Sequence, residues 1–336
     1  MDLLPSEEQS EILDTVDAQL TADFDLHALA GQDFSTNVLD DDLWQRCAEL
    51  GWFSLGLSEA DGGIGYGLAE EALLFERIGA HATPGPFLPT VLGAHVAAAA
   101  GDADPVTAIT SGACRVALAE PEPSADDPHR VRVTDHDGAA LMLTIGERDC
   151  VLRSTEGKQF VAQSSLDPLV PLAVTEVDPD GADVVCRVDG ETLVLRATVL
   201  FAAELAGIAR ATAEQSTEYA KDREQFGRPV GSFQAVKHRC ADMAVRADAA
   251  IQLTRLASLA VQAGHPDARF QARAARAVAS EAAIDNAEVN VQNHGGIGFT
   301  YEHTAHRYVT RARLRAAALG GRAATLADML AADAPS

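Results

Sequence analysis

The spacing of apolar residues along the chain changes twice. Up to about residue 112 apolar residues recur at helical spacing, as over Leu39 to Leu50. From about 113 to 195, short β-rich runs are separated by Asp, Gly and Pro, which predicts a small antiparallel sheet or barrel. Helical spacing then returns. We therefore predict an α+β protein with an N-terminal helical domain (1–112), a middle β-domain (113–195) and a C-terminal four-helix bundle (196–336).

Local chemistry predicts several element boundaries. Ser6 is placed to cap the first helix, and Glu7 and Glu8 complement its dipole. Prolines between Pro84 and Pro89 predict a turn before a short apolar helix over Leu92 to Ala100. The predicted strands are Arg115–Ala119, Ala140–Ile145, Leu169–Val174 and Val184–Val188. The predicted bundle helices are Leu195–Lys221, Phe233–Ala263, Ala268–Gln292 and Tyr301–Ala318, with a last turn or two near Ala323–Ala332.

The composition is that of a globular, acidic protein. Hydrophobic residues make up 47% and charged residues 23%, and 50 acidic residues against 26 basic ones give a formal charge of −24. Such a field opposes binding to nucleic acid or to an anionic membrane. One group of arginines either meets an anion or forms ion pairs on helix surfaces: Arg307, Arg311, Arg313, Arg315 and Arg322.

The cysteines and the N-terminus bear on compartment. The five cysteines, Cys47, Cys114, Cys150, Cys186 and Cys240, have no C-x-x-C spacing, which favours reduced thiols over a disulfide framework or a metal site. Residues 1–5 lack the charged and apolar regions of a signal peptide, and no apolar run looks long enough to span a bilayer. We expect a cytoplasmic protein without a membrane partner.

Two glycine-containing segments carry the candidate chemistry. Arg223 to Gly231 is a polar turn between two long helical stretches, and Gln292 to Phe299 is a Gly-rich break after the next one. Glycines that allow close backbone approach, beside an arginine that can fork onto phosphate, suit a ligand with a pyrophosphate. Neither segment follows a strand, so this is not a Rossmann fingerprint. Either segment alone could also be an ordinary turn.

Taken together and in this order, the two segments resemble the C-terminal domain of the acyl-CoA dehydrogenase family. The family pattern R-x-x-F-G-x-x-(I/V)-x-x-F-Q reads here as Arg223 to Gly227 and then Phe233-Gln234, and Q-x-x-G-G-x-G reads as Gln292 to Gly298. Leu50 to Trp52 and Ser58 to Gly63 resemble the family's N-terminal L-G-(W/L) and P-E-x-x-G-G patterns. The resemblance implies the same three-part α+β fold and alpha,beta-dehydrogenation of an acyl-CoA thioester.

The resemblance also implies FAD as the cofactor, bound between two subunits by two sets of residues. The set that reaches in from the neighbouring chain is retained here. In it, Arg223 would meet the phosphates, Phe226 the adenine side, and the glycines would let the backbone approach closely. The residues of this clamp, as we call the set below, are Arg223, Gln225, Phe226, Gln234, Gln292, Gly295, Gly296 and Gly298.

The set that surrounds the flavin ring within one chain is poorly retained. Ala119 to Asp126 keeps only the outline of the family's T-E-P-x-x-G-S-D loop. Gly157 to Val161 is the nearest counterpart of its G-x-K-x-(W/F)-I-(T/S) strand, and its position fits poorly. We assign no flavin contact there.

The catalytic base is missing at both positions that the family uses. Removing a proton alpha to a thioester requires a carboxylate with a suitable pKa in a dry pocket. The positions that resemble the family's two alternatives are Ala197 and Gly320, and neither residue can take a proton. The acids considered as a displaced base are Glu204, Asp242 and Asp248. The histidines beside the Gly-rich segment fit cofactor or interface contacts better than acid–base work: His294, His303 and His306.

The retained and missing sets together predict the non-catalytic subunit of a heteromeric α2β2 acyl-CoA dehydrogenase. A homologous catalytic subunit would carry the glutamate and the ring pocket, and this chain would complete its FAD site. Such enzymes resemble actinobacterial dehydrogenases of steroid side chains, so a sterol-derived acyl-CoA is the expected substrate and an electron-transferring flavoprotein the expected acceptor. The alternatives are a self-sufficient homotetramer with a displaced base, such as Glu204, and a non-redox acyl-CoA-binding or scaffold protein.

Overall fold

The computed structural model describes residues 3–24, 26, 39–122, 127 and 129–332. Helices are followed by strands and then by helices, which confirms the predicted α+β class. The helices are α1 (Glu7–Asp23), α2 (Asp41–Glu49), α3 (Leu68–Ala80), α4 (Phe87–Ala100), α5 (Ala103–Thr110), α6 (Thr192–Asp222), α7 (Gln234–Gln262), α8 (Ala268–His294), α9 (Ala305–Ala317) and α10 (Gly321–Ala331). The domain boundaries near residues 112 and 195 stay predictions.

The chain folds into two compact units. The helical unit comprises Met1–Asp33, Ala72–Thr83 and Thr198–Ser336, and the mixed unit comprises Phe34–Glu71 and Pro84–Ala197. Helices α3 and α6 have residues in both.

The sheet of the mixed unit has seven strands in the order β5-β6-β2-β1-β3-β4-β7. They are β1 (Arg115–Pro121), β2 (Arg130–Thr134), β3 (Ala139–Ile145), β4 (Asp149–Ser154), β5 (Val161–Gln163), β6 (Leu172–Glu176) and β7 (Val184–Asp189). Strands β1 and β3 are parallel and the other pairs antiparallel, so the prediction of an antiparallel sheet or barrel was wrong in this respect. Parallel neighbours need a crossover, and here β2 leaves to the far side of β1 before β3 returns.

Helix α4 packs directly on this sheet. A Cβ at Gly93 would lie 2.9 Å from a Val116 methyl carbon on β1, so glycine permits the approach. Thr90 Oγ1 accepts a hydrogen bond from Val116 N at 3.2 Å. The helix begins at Phe87, five residues before the predicted start, with Pro89 in its first turn. Backbone N–H groups there have no helical acceptor, so proline is tolerated.

The helical unit is held together by small residues and buried amides. A Cβ at Gly79 would lie 1.9 Å from Glu204 O, and one at Gly207 would lie 1.9 Å from Glu76 O, so α3 and α6 cross at backbone contact. Asn286 on α8 donates from Nδ2 to Ala209 O at 3.0 Å and to Met243 O at 2.9 Å. These buried bonds fix the register of α6, α7 and α8.

By length and composition alone, α6 could cross a membrane, although we predicted no apolar run long enough to do so. Most of its most apolar segment, 83%, is buried inside the protein. The core helix of a globular protein has this character.

Candidate FAD-clamping site

The R-x-x-F-G segment forms a tight hairpin directly after α6. Strands β8 (Glu224–Gln225) and β9 (Arg228–Pro229) are antiparallel, and Val230 N donates to Arg223 O at 2.7 Å. Phe226 and Gly227, between the strands, have φ values of +55° and +76°, as a type I′ turn requires. Glycine adopts this conformation freely, whereas it is strained for phenylalanine. Phe226 is nevertheless 90% exposed, so its own chain offers little to offset the strain.

The surroundings of the hairpin are rich in exposed cations. None of the following residues forms an ion pair with any residue that the structure describes: Lys221, Arg223, Arg228, Lys237 and Arg239. The Arg228 guanidinium lies 4.1 Å from the centroid of the Phe233 ring, a cation–π contact. In a chain with a formal charge of −24, unpaired cations at one end of the helical unit make a local site for an anion.

The Gly-rich segment begins where α8 ends at His294 and continues as a 3-10 helix, Gly295–Phe299. Gly295 needs its glycine because its φ is +63°. A Cβ at Gly298 would lie 2.5 Å from Val291 O, so glycine there serves the chain's own packing. Gly296 has neither reason: its φ is not positive, and a Cβ there would meet no atom within 4 Å. The open space at Gly295 and Gly296 is suited to a ligand that approaches the backbone from outside.

Tyr219 brings the two segments together. It lies one helical turn before Arg223, whose backbone N–H donates to Tyr219 O at 2.9 Å. The Tyr219 ring packs against the His294 ring with centroids 4.3 Å apart, and its hydroxyl donates to His294 O at 3.4 Å. Both segments therefore lie at the same end of the helical unit. The three predicted glutamines are exposed there: Gln225 on β8, Gln234 at the start of α7 and Gln292 near the end of α8.

The histidines at the end of α8 and beyond it make contacts between aromatic rings. His294 lies between Tyr219 and His303, whose ring centroid is also 4.3 Å away. Burial lowers the pKa of His294, an effect that its hydrogen bond to Asn290 O at 2.8 Å partly opposes. A neutral ring donates through Nδ1 here. His306 packs edge-on against Tyr301 at 5.1 Å. These contacts within the chain support the Gly-rich segment, and the cofactor or interface contacts predicted for the histidines stay predictions.

Phe160, the aromatic residue in the nearest counterpart of the family's flavin-facing strand, packs within this chain. Phe160 stacks on His136 with ring centroids 5.2 Å apart and packs against a buried cluster that includes Val133 and Met142. The aromatic residue of the nearest counterpart strand thus belongs to the chain's own core. Of the loop Ala119–Asp126, residues 123–126 lie outside the described residues.

The two positions at which the family carries its catalytic base hold Ala197 and Gly320, and neither side chain is an acid. Ala197 is fully buried in α6, and Gly320, with φ +76°, is exposed and caps α10. Glu204 is also buried, and its Oε1 accepts a hydrogen bond from Arg315 Nε at 2.9 Å. The two aspartates considered as bases, Asp242 and Asp248, are exposed on α7.

The predicted arginine group divides in two. Arg313 and Arg322 form surface ion pairs with Glu288 and Glu281, as the ion-pair interpretation expects. The other members, Arg307, Arg311 and Arg315, are buried. Arg311 Nη1 donates to Thr83 O at 2.8 Å, so this arginine serves packing within the helical unit.

Sequence reasoning missed a buried hydrogen-bonded triad in the mixed unit. Glu71 Oε1 accepts from His95 Nε2 at 2.6 Å, and Oε2 accepts from Arg196 Nη1. Burial alone raises the pKa of Glu71, but His95 and Arg196 outweigh it and hold the pKa below its usual value. A Cβ at Gly56 would lie 2.4 Å from Glu71 Oε1, so glycine makes room for the carboxylate. The available signal was a polar residue inside each of two apolar helical runs, His95 in α4 and Arg196 in α6.

Two family descriptions match the chain. "Acyl-CoA dehydrogenase, N-terminal domain" matches residues 6–104, and "Acyl-CoA dehydrogenase, C-terminal domain" matches residues 192–333. The acyl-CoA dehydrogenase IpdE2 of Mycobacterium tuberculosis is 33% identical over 315 residues, which cover 92% of each chain.

Solved structures show the same fold. A chain of the ChsE4-ChsE5 complex from Mycobacterium tuberculosis superposes with a TM-score of 0.84 at 25% identity, with all of both chains covered. A chain of the Tcur3481-Tcur3483 steroid acyl-CoA dehydrogenase, G363A variant, gives 0.81 at 26% identity, with 96% of each chain covered. The predicted resemblance is confirmed: this chain belongs to the acyl-CoA dehydrogenase family of oxidoreductases that act on acyl-CoA.

Proposed function

We propose that this chain is the non-catalytic subunit of a heteromeric, FAD-dependent acyl-CoA dehydrogenase and that it completes the FAD site of a homologous catalytic subunit. One contrast carries the proposal. Six of the eight clamp residues are exposed, and Gly295 and Gly296 have open space beside them, whereas the base positions, Ala197 and Gly320, hold no carboxylate. This is what we expect of a chain that keeps the residues for binding FAD in the neighbouring subunit and has lost the catalytic base of its own pocket.

The clamp suits FAD in charge and in shape. Arg223 is exposed and free of ion pairs with the described residues, so its guanidinium can fork onto a pyrophosphate. The bare backbone at Gly295 and Gly296 allows close approach, and the exposed Phe226 ring can lie against the adenine side. When bound, FAD accepts the hydride that leaves the beta carbon of the acyl group. The residues of this chain would bind and orient the cofactor, and the proton would leave through the partner's base.

The proposal extends to substrate and partners. A sterol-derived acyl-CoA is supported by similarity to a steroid acyl-CoA dehydrogenase, and a heteromeric assembly by similarity to a chain of the ChsE4-ChsE5 complex. The α2β2 stoichiometry follows from the family resemblance. An electron-transferring flavoprotein as acceptor and a cytoplasmic location follow from the family resemblance. The alternative of a homotetramer that uses Glu204 loses support, because this carboxylate is buried against Arg315.

The experiment is to co-express the chain with a longer homologue that carries the missing glutamate and to measure flavin in the purified complex. Arg223→Ala should leave the complex assembled and remove most of its FAD. Arg322→Ala is the matched control, because Arg322 is exposed but paired with Glu281. Unchanged flavin in the Arg223 variant would overturn the assignment of the clamp.

A further inference from the structure

A pocket of about 410 Å³ lies between the end of α6 and the start of α7, beside the hairpin. It is lined by Thr217, Ala220, Lys221, Pro229, Gly231, Lys237 and Cys240. None of the eight clamp residues lines it, so it is distinct from the proposed FAD contacts.

The walls of the pocket are apolar and firmly built. Ala220 is buried, and a Cβ at Gly231 would lie 2.7 Å from Ala220 O, so the 3-10 turn after the hairpin, Val230–Ser232, packs tightly against α6. Cys240 Sγ lies 3.8 Å from Ser216 O, which ties α7 to α6 on another side. A pocket of this size and lining favours an apolar ligand body, because removing such a body from water stabilises the complex.

Two of the chain's three lysines border this pocket. The third, Lys158, forms an ion pair with Asp183 at 2.6 Å. By contrast, Lys221 and Lys237 are exposed and have no ion-pair partner among the residues that the structure describes. Both lysines line the pocket and are exposed, and lysine can lay its aliphatic stem along an apolar surface while its ammonium group stays in water. With 50 acidic residues in the chain, two lysines left unpaired beside one apolar pocket indicate a site for an anionic group.

We propose that this pocket binds an amphipathic carboxylate of the fatty-acid class, with its apolar body in the pocket and its carboxylate between Lys221 and Lys237. The site is independent of the FAD clamp and goes beyond the proposed function. A free carboxylate lacks the thioester, so it would occupy the pocket as a ligand and not as a substrate for dehydrogenation.

Cys240 provides a direct readout. It lines the pocket and is half-buried, whereas the other four cysteines are buried. Its burial raises the pKa of the thiol, so alkylation by N-ethylmaleimide should be slow enough to time. The experiment measures the rate of Cys240 alkylation in the full-length chain, alone and in complex with its catalytic homologue, at increasing decanoate. Calorimetric titration of decanoate gives Kd independently.

We expect saturable protection by decanoate and much weaker protection by decanol, which has the same apolar body without the charge. The double variant Lys221→Met/Lys237→Met should weaken decanoate binding about tenfold, the factor expected for two solvent-exposed ion pairs. Arg322→Met, which removes a cation far along the sequence, should leave it unchanged. Thr217→Phe should abolish binding by filling the pocket while both lysines remain.

Three results would overturn the proposal: no protection or titration heat with decanoate, equal binding of decanol, or unchanged binding in both the double lysine and the Thr217 variants. The FAD content of the complex separates this site from the clamp. Flavin should stay bound in the Thr217→Phe variant, which changes neither the clamp nor the cations around the hairpin. Failure of carboxylate binding therefore leaves the FAD assignment intact, and unchanged flavin in Arg223→Ala, which would overturn that assignment, leaves this one intact.

Discussion

Glu204 and Arg315 form a buried ion pair, with Oε1 and Nε 2.9 Å apart. Both side chains are almost wholly inside the helical unit. Glu204, the first candidate for a displaced catalytic base, is therefore part of the chain's own packing. Its replacement should lower the free energy of unfolding of the chain.

Glu204→Gln should destabilise the chain by about 3–5 kcal/mol, because it breaks a buried ion pair by removing the carboxylate charge beside Arg315. The double variant Glu204→Gln/Arg315→Met should recover part of this loss. Urea unfolding measures both. A Glu204 variant of normal stability whose complex cannot dehydrogenate acyl-CoA would instead identify Glu204 as a base.

The Glu71 triad makes the stability of the mixed unit dependent on pH. The pKa of Glu71 is lowered in the folded chain, from a usual value of 4.5. A lowered carboxylate pKa contributes stability that is present above the unfolded-state pKa and is lost as pH falls through the folded-state pKa. Glu71→Gln should therefore cost much more stability at pH 7 than at a pH well below 4.5. Chemical unfolding across this range tests it, with the exposed Glu156→Gln as control. An equal cost at all pH values would contradict the assignment.

The glycines of the Gly-rich segment should separate folding from cofactor binding. Gly296→Ala should change the unfolding free energy by no more than about 0.5 kcal/mol, because its Cβ meets open space. It should still lower the FAD content of the complex. Gly298→Ala should destabilise the chain itself, because its Cβ would lie 2.5 Å from Val291 O. Thermal unfolding and flavin absorbance together distinguish the two. Full flavin occupancy in the Gly296 variant would place the cofactor elsewhere.

Replacing Phe226 should raise the stability of the chain and weaken FAD binding by the complex. Phe226→Gly removes a left-handed aromatic residue that is 90% exposed, so the isolated chain should gain about 1 kcal/mol. FAD binding by the complex should weaken, since the adenine side loses its aromatic contact. Phe233→Leu, at the partly buried ring beneath Arg228, is a control for general disturbance of the hairpin. A Phe226 variant with no gain in stability and unchanged flavin would contradict this account.

The helices and the positions of the two turn segments could be predicted because their signals are local, whereas the cofactor contacts of the clamp stay predictions. The 3.6-residue period located α7 to within a residue of its observed ends, and the turn predicted at Arg223 to Gly231 is present as a two-stranded hairpin. The parallel pairing of β1 with β3 could not be predicted, because it depends on where β2 pairs. The triad was missed for a similar reason: Glu71, His95 and Arg196 are far apart in sequence and meet only after folding. The sequence shows where Lys221 and Lys237 stand in the chain. That neither forms an ion pair with a described residue can be seen only in the folded structure, which places the acidic side chains.

The most direct test of the central claim is the flavin content of the chain purified alone compared with that of its complex with a catalytic homologue. We predict that the isolated chain binds no FAD and is inactive, and that the complex is flavin-loaded and dehydrogenates acyl-CoA only while the homologue's glutamate is intact. A yellow, active assembly made solely of this chain would contradict the account.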